Sequence, residues 1–370
     1  MSSTKKRKVL ITVPTLHSKG GVSNYYRTIR DYLSVGFDFF TVGPFRWEKR
    51  TQLERVRKFL SDPVRFKRHL KEHHADYDLT MINPSFEYGS LIREALLLRV
   101  AKKQNKKTIV FFRGFDMDNA AFVDKYFKKL FFASYCKTDC FIVLGEEFRD
   151  CLVDWGFKQP VVLETTLVDD KLLEGFSLDA RLARIDNGEP AKLLFLSRIV
   201  KEKGVMEALQ AFKLLVKAND RLTLTMAGDG PMLDEAKQYA KDNGLEDKIS
   251  FPGFVSGDEK RRVLTDADMY IFPSYTEGMP NSVLEAMAFG LPVVATPVGG
   301  IKDVVKKGEH GFLLDENTPE AIAAFVEKII GDRDLQKSMS SNCFASGSGF
   351  LASRIAERLE EIFENVIEQD

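Results

Sequence analysis

The stretch YTEGMPNSVLEAMAFGLPVVATPVGG, residues 275–300, carries two carboxylates, Glu277 and Glu285, on either side of a turn and a helix start. Gly278 and Pro280 shape the turn, and Asn281 or Ser282, each a good N-cap, is expected to open the helix. The amides around Met279 to Ser282 would then lack intrahelical acceptors and could meet an oxygen-rich ligand. Each carboxylate oxygen can take a separate O–H, which suits the paired hydroxyls of a sugar ring. Glu277 and Glu285 can therefore address two parts of one ligand, although Glu285 also reads as an ordinary exposed helix residue.

Three further loops have phosphate-compatible chemistry. In FLSRIVKEKGV (195–205), Arg198 and Lys203 flank the end of an apolar run, and Gly204 opens the next helix. A forked guanidinium and a point-charge ammonium beside a helix start suit a diphosphate, or else they are two solvated cations. In KGGVSN (19–24), Gly20 and Gly21 allow close backbone approach at a helix N-terminus. In AGDGP (227–231), Gly228 ends a strand, with an ordinary turn as the alternative. Neither a dinucleotide fingerprint nor a P-loop occurs in the chain.

These loops need rigid elements behind them. Short apolar runs at 9–13, 37–42, 79–82, 108–112, 140–144 and 161–168 are separated by longer helical segments, such as 90–103 and 122–135. After a polar, irregular stretch at 177–191 the pattern restarts, with strands expected at 193–196, 222–227, 248–251, 269–272 and 292–295. Strands alternating with helices indicate parallel sheets covered on both faces. Two doubly wound α/β domains follow, 1–170 and 171–349, joined by a linker near 170–190. The terminal segment 350–370 repeats apolar residues on one helix face and must pack on one of them.

Bulk properties narrow the setting. At 370 residues, 44% hydrophobic and 29% charged, the chain is globular and long enough for two domains. Cys136, Cys140, Cys151 and Cys343 lack metal-ligand spacing and read as reduced thiols. No apolar run spans a membrane, and MSSTKKRKVLITVP lacks a signal cleavage site, so a cytoplasmic protein is expected. Residues 1–170 hold 30 Lys/Arg against 21 Asp/Glu, a balance of +9, while the remainder holds 24 against 33, or −9. Part of the basic excess lies in residues 46–74. That segment is either a solvated helical face or a peripheral surface for anionic lipid headgroups, anchored by Trp47, Phe59 and Phe66. Nucleic acid is not expected, because no signature presents the charge to it.

The 275–300 stretch resembles the E-x7-E signature of retaining glycosyltransferase family 4. GGVSNYYRTIRDYL, LSRIVKEKGV, MAGDGP and FPGFVSGDEKRRVLTDADMYIFPS are similar to further family segments in the same order. The resemblance is strong over roughly 190–330 and weak over 45–160. It implies the GT-B fold, two doubly wound Rossmann-like domains facing a central cleft, with the terminal helix returning to the first. It also implies a nucleotide diphosphate sugar donor, UDP-linked before GDP-linked, and transfer to a carbohydrate or lipid-linked acceptor hydroxyl. No cofactor or metal is implied. Arg198 and Lys203 would hold the diphosphate, with Gly20, Gly21 and Gly228 near it. Glu285 would bind the ribose, Phe254 would border the base, and Glu277 would orient the transferred sugar. Gly278, Met279, Pro280, Asn281 and Ser282 would line the donor from the backbone. His17, Asn24 and Arg113 are acceptor-side candidates.

The chain departs from the family in two places. Many relatives carry His-Gly after the 108–112 strand, whereas this chain has FFRGFD, and Arg113 stays protonated and cannot act as a base. The usual NGVD-like turn appears as TTLVDD (165–170). The D-x-D triplets at 76–78, 116–118 and 266–268 are assigned no metal. The alternatives are an epimerase or hydrolase on the same fold, separable by products from donor alone, and a binding module without turnover.

Overall fold

The computed structural model describes residues 7–14, 16, 21–43, 51–114 and 117–369, with backbone alone at 52, 55, 117 and 118. The chain divides into two compact units, Met1–Thr165 with Ala352–Asp370, and Thr166–Leu351.

In the first unit, β1 (Lys8–Val13), β2 (Gly36–Thr41), β3 (Leu79–Ile82), β4 (Lys107–Phe111), β5 (Cys140–Val143) and β6 (Val161–Leu163) form one sheet. Its order is β2-β1-β3-β4-β5-β6, and every pairing is parallel. Val9, Leu10 and Ile11 are all buried, as a strand covered on both faces requires. The second unit contains β7 (Lys192–Leu196), β8 (Thr223–Ala227), β9 (Ile249–Gly253), β10 (Met269–Phe272), β11 (Val293–Ala295) and β12 (Gly311–Leu313). They run β12-β11-β10-β7-β8-β9, again all parallel. Strand order reverses between β1 and β3 in one sheet and between β7 and β10 in the other. Outside the carboxyl ends of the strands at such a reversal, the loops diverge and leave room for a ligand.

Three sequence expectations change. The segment expected to be an irregular linker is ordered and belongs to the second unit: Leu178–Asp186 is a helix capped by the Ser177 side chain. Its Arg181 is buried and bonds the carbonyls of Leu264 (3.0 Å) and Thr265 (3.2 Å) and that of Ala267, at the end of the helix Gly257–Asp266. The second change is β12, a three-residue strand that the apolar-run reading missed. The third concerns the proposed lipid anchors on the helix Gln52–Glu72. Phe66 is fully buried against Phe40, with ring centroids 5.0 Å apart, so it cannot enter a bilayer, and Phe59 is half-buried. Trp47 lies outside the described residues. Among those residues no helix is long and apolar enough to cross a membrane.

The terminal helix, Ala352–Glu368, buries its apolar stripe within the first unit against the helix Gly21–Ile29 and β4. A polar clasp fixes it there. Arg358 binds Glu164 through two bonds, Nε to Oε2 at 2.9 Å and Nη2 to Oε1 at 2.8 Å, while Glu360 accepts the Val35 amide at 3.0 Å. The Glu164 side chain is almost wholly buried, whereas Arg358 is partly open to water. Removing Arg358 strands a buried carboxylate, a change that costs more than the pair contributes. Arg358→Ala is therefore expected to lower stability by about 2 kcal/mol after allowing for solvent screening of the arginine. Chemical denaturation read by a probe in the first unit checks it.

Candidate functional site

At the β7/β10 reversal, two loops are bound edge to edge. The Tyr275 amide donates to the Glu202 carbonyl at 2.9 Å, and the Ser274 hydroxyl bridges the carbonyls of Glu202 (3.1 Å) and Thr276 (3.2 Å). Gly204 makes the approach possible. It sits at φ +70°, and a Cβ there would collide with the Pro273 carbonyl. Across this seam the Lys203 ammonium bonds the Glu277 carboxylate, and it also donates to the Thr276 carbonyl at 3.3 Å. Both side chains are nearly buried, so the pair is a fixed dipole and not a loose surface contact.

The neighbouring loops are locked in the same way. The Gly228 amide donates to the Gly253 carbonyl at 2.7 Å, and the Ile199 amide to Asp229 at 2.9 Å. Gly228 has φ +152°, and any side chain there would strike the Ser197 carbonyl. Arg198 stands exposed between them, and among the described residues its guanidinium has no carboxylate partner. Phe254, just past β9, is 76% exposed.

The turn at Glu277–Pro280 is held by the paired glycines that close the quoted stretch. The Gly300 amide donates to the Gly278 carbonyl at 2.6 Å, and at Gly299 a side chain would meet the Glu277 carbonyl. The helix runs Asn281–Ala288 with Pro280, not Asn281 or Ser282, at the N-cap, and no side chain caps it. Proline's fixed φ and missing N–H suit that boundary. Ser282 instead accepts the Tyr270 hydroxyl at 2.8 Å, inside the protein. Burial drives the Tyr270 phenol well above its ordinary pKa, so it stays a neutral donor. The uncapped first amides, those of Asn281 and Ser282, are left to meet a ligand. Glu285 is buried, not exposed, with Oε1 2.6 Å from the Lys260 ammonium. Lys260 was missed in the sequence because GDEKRR reads as a solvated helix start. Only the fold, which brings Lys260 to Glu285, gives it a partner.

The first unit has its own polar cluster at the β1/β3 reversal. Asn83 donates to the Thr12 carbonyl (2.8 Å) and accepts the Tyr26 hydroxyl (2.5 Å). Gly21 begins a helix, and among the described residues nothing outside its own helix backbone and chain neighbours lies within 4 Å of where its side chain would be. Asn24 is exposed and accepts from Arg27 at 3.3 Å. Beyond β4 the Arg113 guanidinium lies 3.7 Å from the centre of the Tyr25 ring and 4.4 Å from that of Phe111. Its Nε and Nη1 are buried and have no acceptor among the described residues. Stacking fixes the plane of the cation and leaves N–H groups to offer an anion. Burial pushes the Tyr25 phenol up, with Arg113 opposing. His17 and Gly20 fall outside the described residues.

Among the described residues no group of three or more His, Cys, Asp or Glu could hold a metal. Two of the D-x-D triplets supply structural carboxylates: Asp78 accepts the Lys8 amide at 2.9 Å, and Asp268 binds Arg184 at 2.8 Å. Asp116 lies outside the described residues. The four cysteines are unpaired, and burial pushes the Cys140 thiol up to about 12, which keeps it unreactive.

Two parallel doubly wound units of this kind define the GT-B fold, and comparison with solved structures agrees. The chain superposes on HepE from Anabaena, solved with UDP, at a TM-score of 0.71 and 16% identity, covering 97% of this chain and all of that one. It superposes on a glycosyltransferase from Rickettsia africae at 0.72 and 17% identity, covering 99% of this chain and all of that one. In sequence, residues 182–344 match the family described as glycosyl transferases group 1, a segment inside the second unit. The amylovoran biosynthesis glycosyltransferase AmsK of Erwinia amylovora is 26% identical over 63% of this chain and 57% of its own. The capsular polysaccharide biosynthesis glycosyltransferase CapM of Staphylococcus aureus is 28% identical over 47% of this chain and 46% of its own. The chain thus spans about half the length of these two relatives.

Proposed function

We propose that the protein is a retaining glycosyltransferase of family 4. It would move a sugar from a nucleotide diphosphate sugar, UDP-linked before GDP-linked, to an acceptor hydroxyl in polysaccharide, glycolipid or other cell-surface glycan synthesis. It needs no cofactor, and it works on the cytoplasmic side on a carbohydrate or lipid-linked acceptor. The observation that carries the reading is the Lys203–Glu277 pair at the β7/β10 reversal, with Arg198, which has no carboxylate partner among the described residues, on the same loop after β7. The relatives' polysaccharide-building names and HepE's UDP support it.

The chemistry follows from charge. As the sugar–phosphate bond breaks, negative charge grows on the leaving diphosphate. Arg198, Lys203 and the free amides at Asn281 and Ser282 meet it with donors already oriented, so little reorganisation is needed. Glu277 holds Lys203 through one oxygen and has the other for the transferred sugar's hydroxyls. Glu285, anchored by Lys260, does the same for the ribose. Arg113 offers its N–H groups to an anionic acceptor.

Calorimetric titration with UDP, GDP and ADP tests the donor side. One of the uridine or guanosine diphosphates should bind, and Arg198→Ala should weaken it by roughly tenfold, the worth of about one charged hydrogen bond. No heat with any of the three, or binding indifferent to Arg198, ends the proposal.

A further inference from the structure

The second unit holds a cavity that the sugar-transfer reading does not use. It has a volume of about 160 Å³ and lies at the amino ends of β7, β8 and β10. The loops that carry Arg198, Lys203 and Glu277 leave the opposite ends of these strands, a strand's length away, and none of the three lines the cavity. Three arginines do, each placed by a different element. Arg184, near the end of the helix Leu178–Asp186, donates from Nη2 to Asp268 Oδ1 at 2.8 Å and to the Thr265 carbonyl at 3.2 Å, while its Nε is buried without an acceptor. Arg333 opens the helix Arg333–Ser348 and lies over Gly188, where a Cβ would collide with its Nη2; its Nη1 donates to the Asp186 carbonyl at 3.3 Å. Arg221 comes from the turn before β8, where Asn219 accepts its amide at 3.1 Å. Among the described residues, neither Arg221 nor Arg333 has a carboxylate partner.

A fourth polar group faces the same space. Gln336 is only 5% exposed and lines the cavity, yet its side-chain amide has no hydrogen bond among the described residues. Buried amides are bonded as a rule, so its partner must stand in the cavity. Two acids also line it. Asp268 is already matched: Oδ1 meets Arg184, Arg181 stands 3.8 Å away, and Oδ2 accepts the Lys192 amide at 3.0 Å. Glu189 is exposed and, among the described residues, in no ion pair, so it is left to oppose an incoming anion. Asp332, beside Arg333, turns back onto its own helix and accepts the Leu335 amide at 3.0 Å. With Arg181 behind the wall, four guanidinium groups face the two lining carboxylates.

Cations gathered around one space repel each other unless an anion joins them. We propose that this cavity binds a phosphate group, either inorganic phosphate or the phosphate of a small monoester. A tetrahedral dianion offers oxygens in several directions, which suits guanidinium forks and an amide reaching one space from three elements. A flat carboxylate can satisfy one fork with both oxygens and leaves the others unserved. The volume sets the size. It is about half of the roughly 300 Å³ at which sites for drug-sized ligands begin, so it admits a phosphate and a few further atoms and not a nucleotide sugar. The site lies wholly within the second unit and does not depend on the sugar-transfer reading.

Calorimetric titration of the full chain in phosphate-free buffer tests it, with inorganic phosphate, glycerol phosphate and acetate as probes. At least one of the phosphates should bind and raise the Tm, and acetate should do neither. Preference for the free ion or for the ester supports the proposal either way and names the source. R221Q/R333Q should lose at least about tenfold in affinity, the worth of one charged hydrogen bond. Both positions are exposed, so without phosphate this variant should melt with the parent. Glu189→Gln should tighten binding about threefold by removing a repelling charge at an exposed position. Arg198→Ala should leave phosphate binding as it is, which separates this site from the diphosphate site proposed above. No binding of either phosphate, equal binding of acetate, or an affinity indifferent to R221Q/R333Q overturns the proposal. So does binding that Arg198→Ala abolishes, which would put the ion at the β7/β10 loops.

Discussion

Glu277→Gln is expected to lower sugar transfer by a factor of about a thousand while nucleoside diphosphate affinity stays within about threefold or tightens. The geometry separates the two quantities. The turn carrying Glu277 is held by backbone bonds, Gly300 to Gly278 at 2.6 Å and Tyr275 to Glu202 at 2.9 Å, so an isosteric amide leaves it in place. Lys203 keeps its bond to the Thr276 carbonyl and can still donate to the amide oxygen. What disappears is the negative charge that draws on Lys203, and with it the strongest acceptor for hydroxyls of the transferred sugar. A diphosphate meets an ammonium less committed to a neighbour, hence equal or tighter binding. On the proposed reading the sugar would lose a contact that matters most when its ring flattens toward the transition state, hence the expected loss in kcat. Glu285→Gln is the contrasting change, because its effect should appear in nucleotide affinity. Turnover of Glu277→Gln within tenfold of the parent, or loss of nucleotide binding alongside activity, would remove Glu277 from this role.

The separate halves of this site were legible in the sequence, but their pairing was not. β7 and β10 are apolar runs of ordinary length, and the loops after them were marked by Arg198, Lys203, Gly278 and Glu277. That Lys203 bonds Glu277 depends on β7 and β10 being neighbours, and no local pattern encodes strand order. The sequence also left the orientation of each apolar stripe open. On the helix Gln52–Glu72, one stripe (Phe59, Pro63, Phe66 and Leu70) and another (Leu53, Val56, Leu60 and Val64) are both apolar. Only the sheet beneath decides that the first is covered and the second is not. The helix cap was misread because Asn281 and Ser282 outrank proline as caps in general. Here Pro280 fixes the backbone first, and Ser282 is taken by Tyr270.

The stretch 177–191 was misread for a different reason, and the reason gives the second prediction. It holds few large apolar residues, and an arginine at its centre normally marks a solvated face. Arg181 is instead sealed inside the second unit, its guanidinium closing the carbonyl end of the helix Gly257–Asp266 with Phe176 against its plane at 5.3 Å. Burial pulls its pKa down to about 10, with Asp268 opposing from 3.8 Å, so at neutral pH it remains a cation. Arg181→Ala leaves carbonyls with no donor and no water, and opens a cavity besides. Each orphaned acceptor costs about 1–3 kcal/mol, and neighbouring Arg184 already covers part of the loss through Thr265 and Asp268, so a net cost of about 3 kcal/mol is expected. For a unit of this size that is a fall of roughly 6–12 °C in the calorimetric Tm of the second unit. Arg184→Ala, at a more exposed position whose carbonyl acceptors Thr265 and Ala267 keep their bonds from Arg181, should cost less. If 177–191 were a mere tether, both substitutions would leave the melt unchanged. If the two shifts were equal, burial of Arg181 would not be what matters. A large shift for Arg181 would mean that the segment 177–191 is part of the scaffold carrying the loops at the β7/β10 reversal, since the helix it closes also presents Lys260 to Glu285.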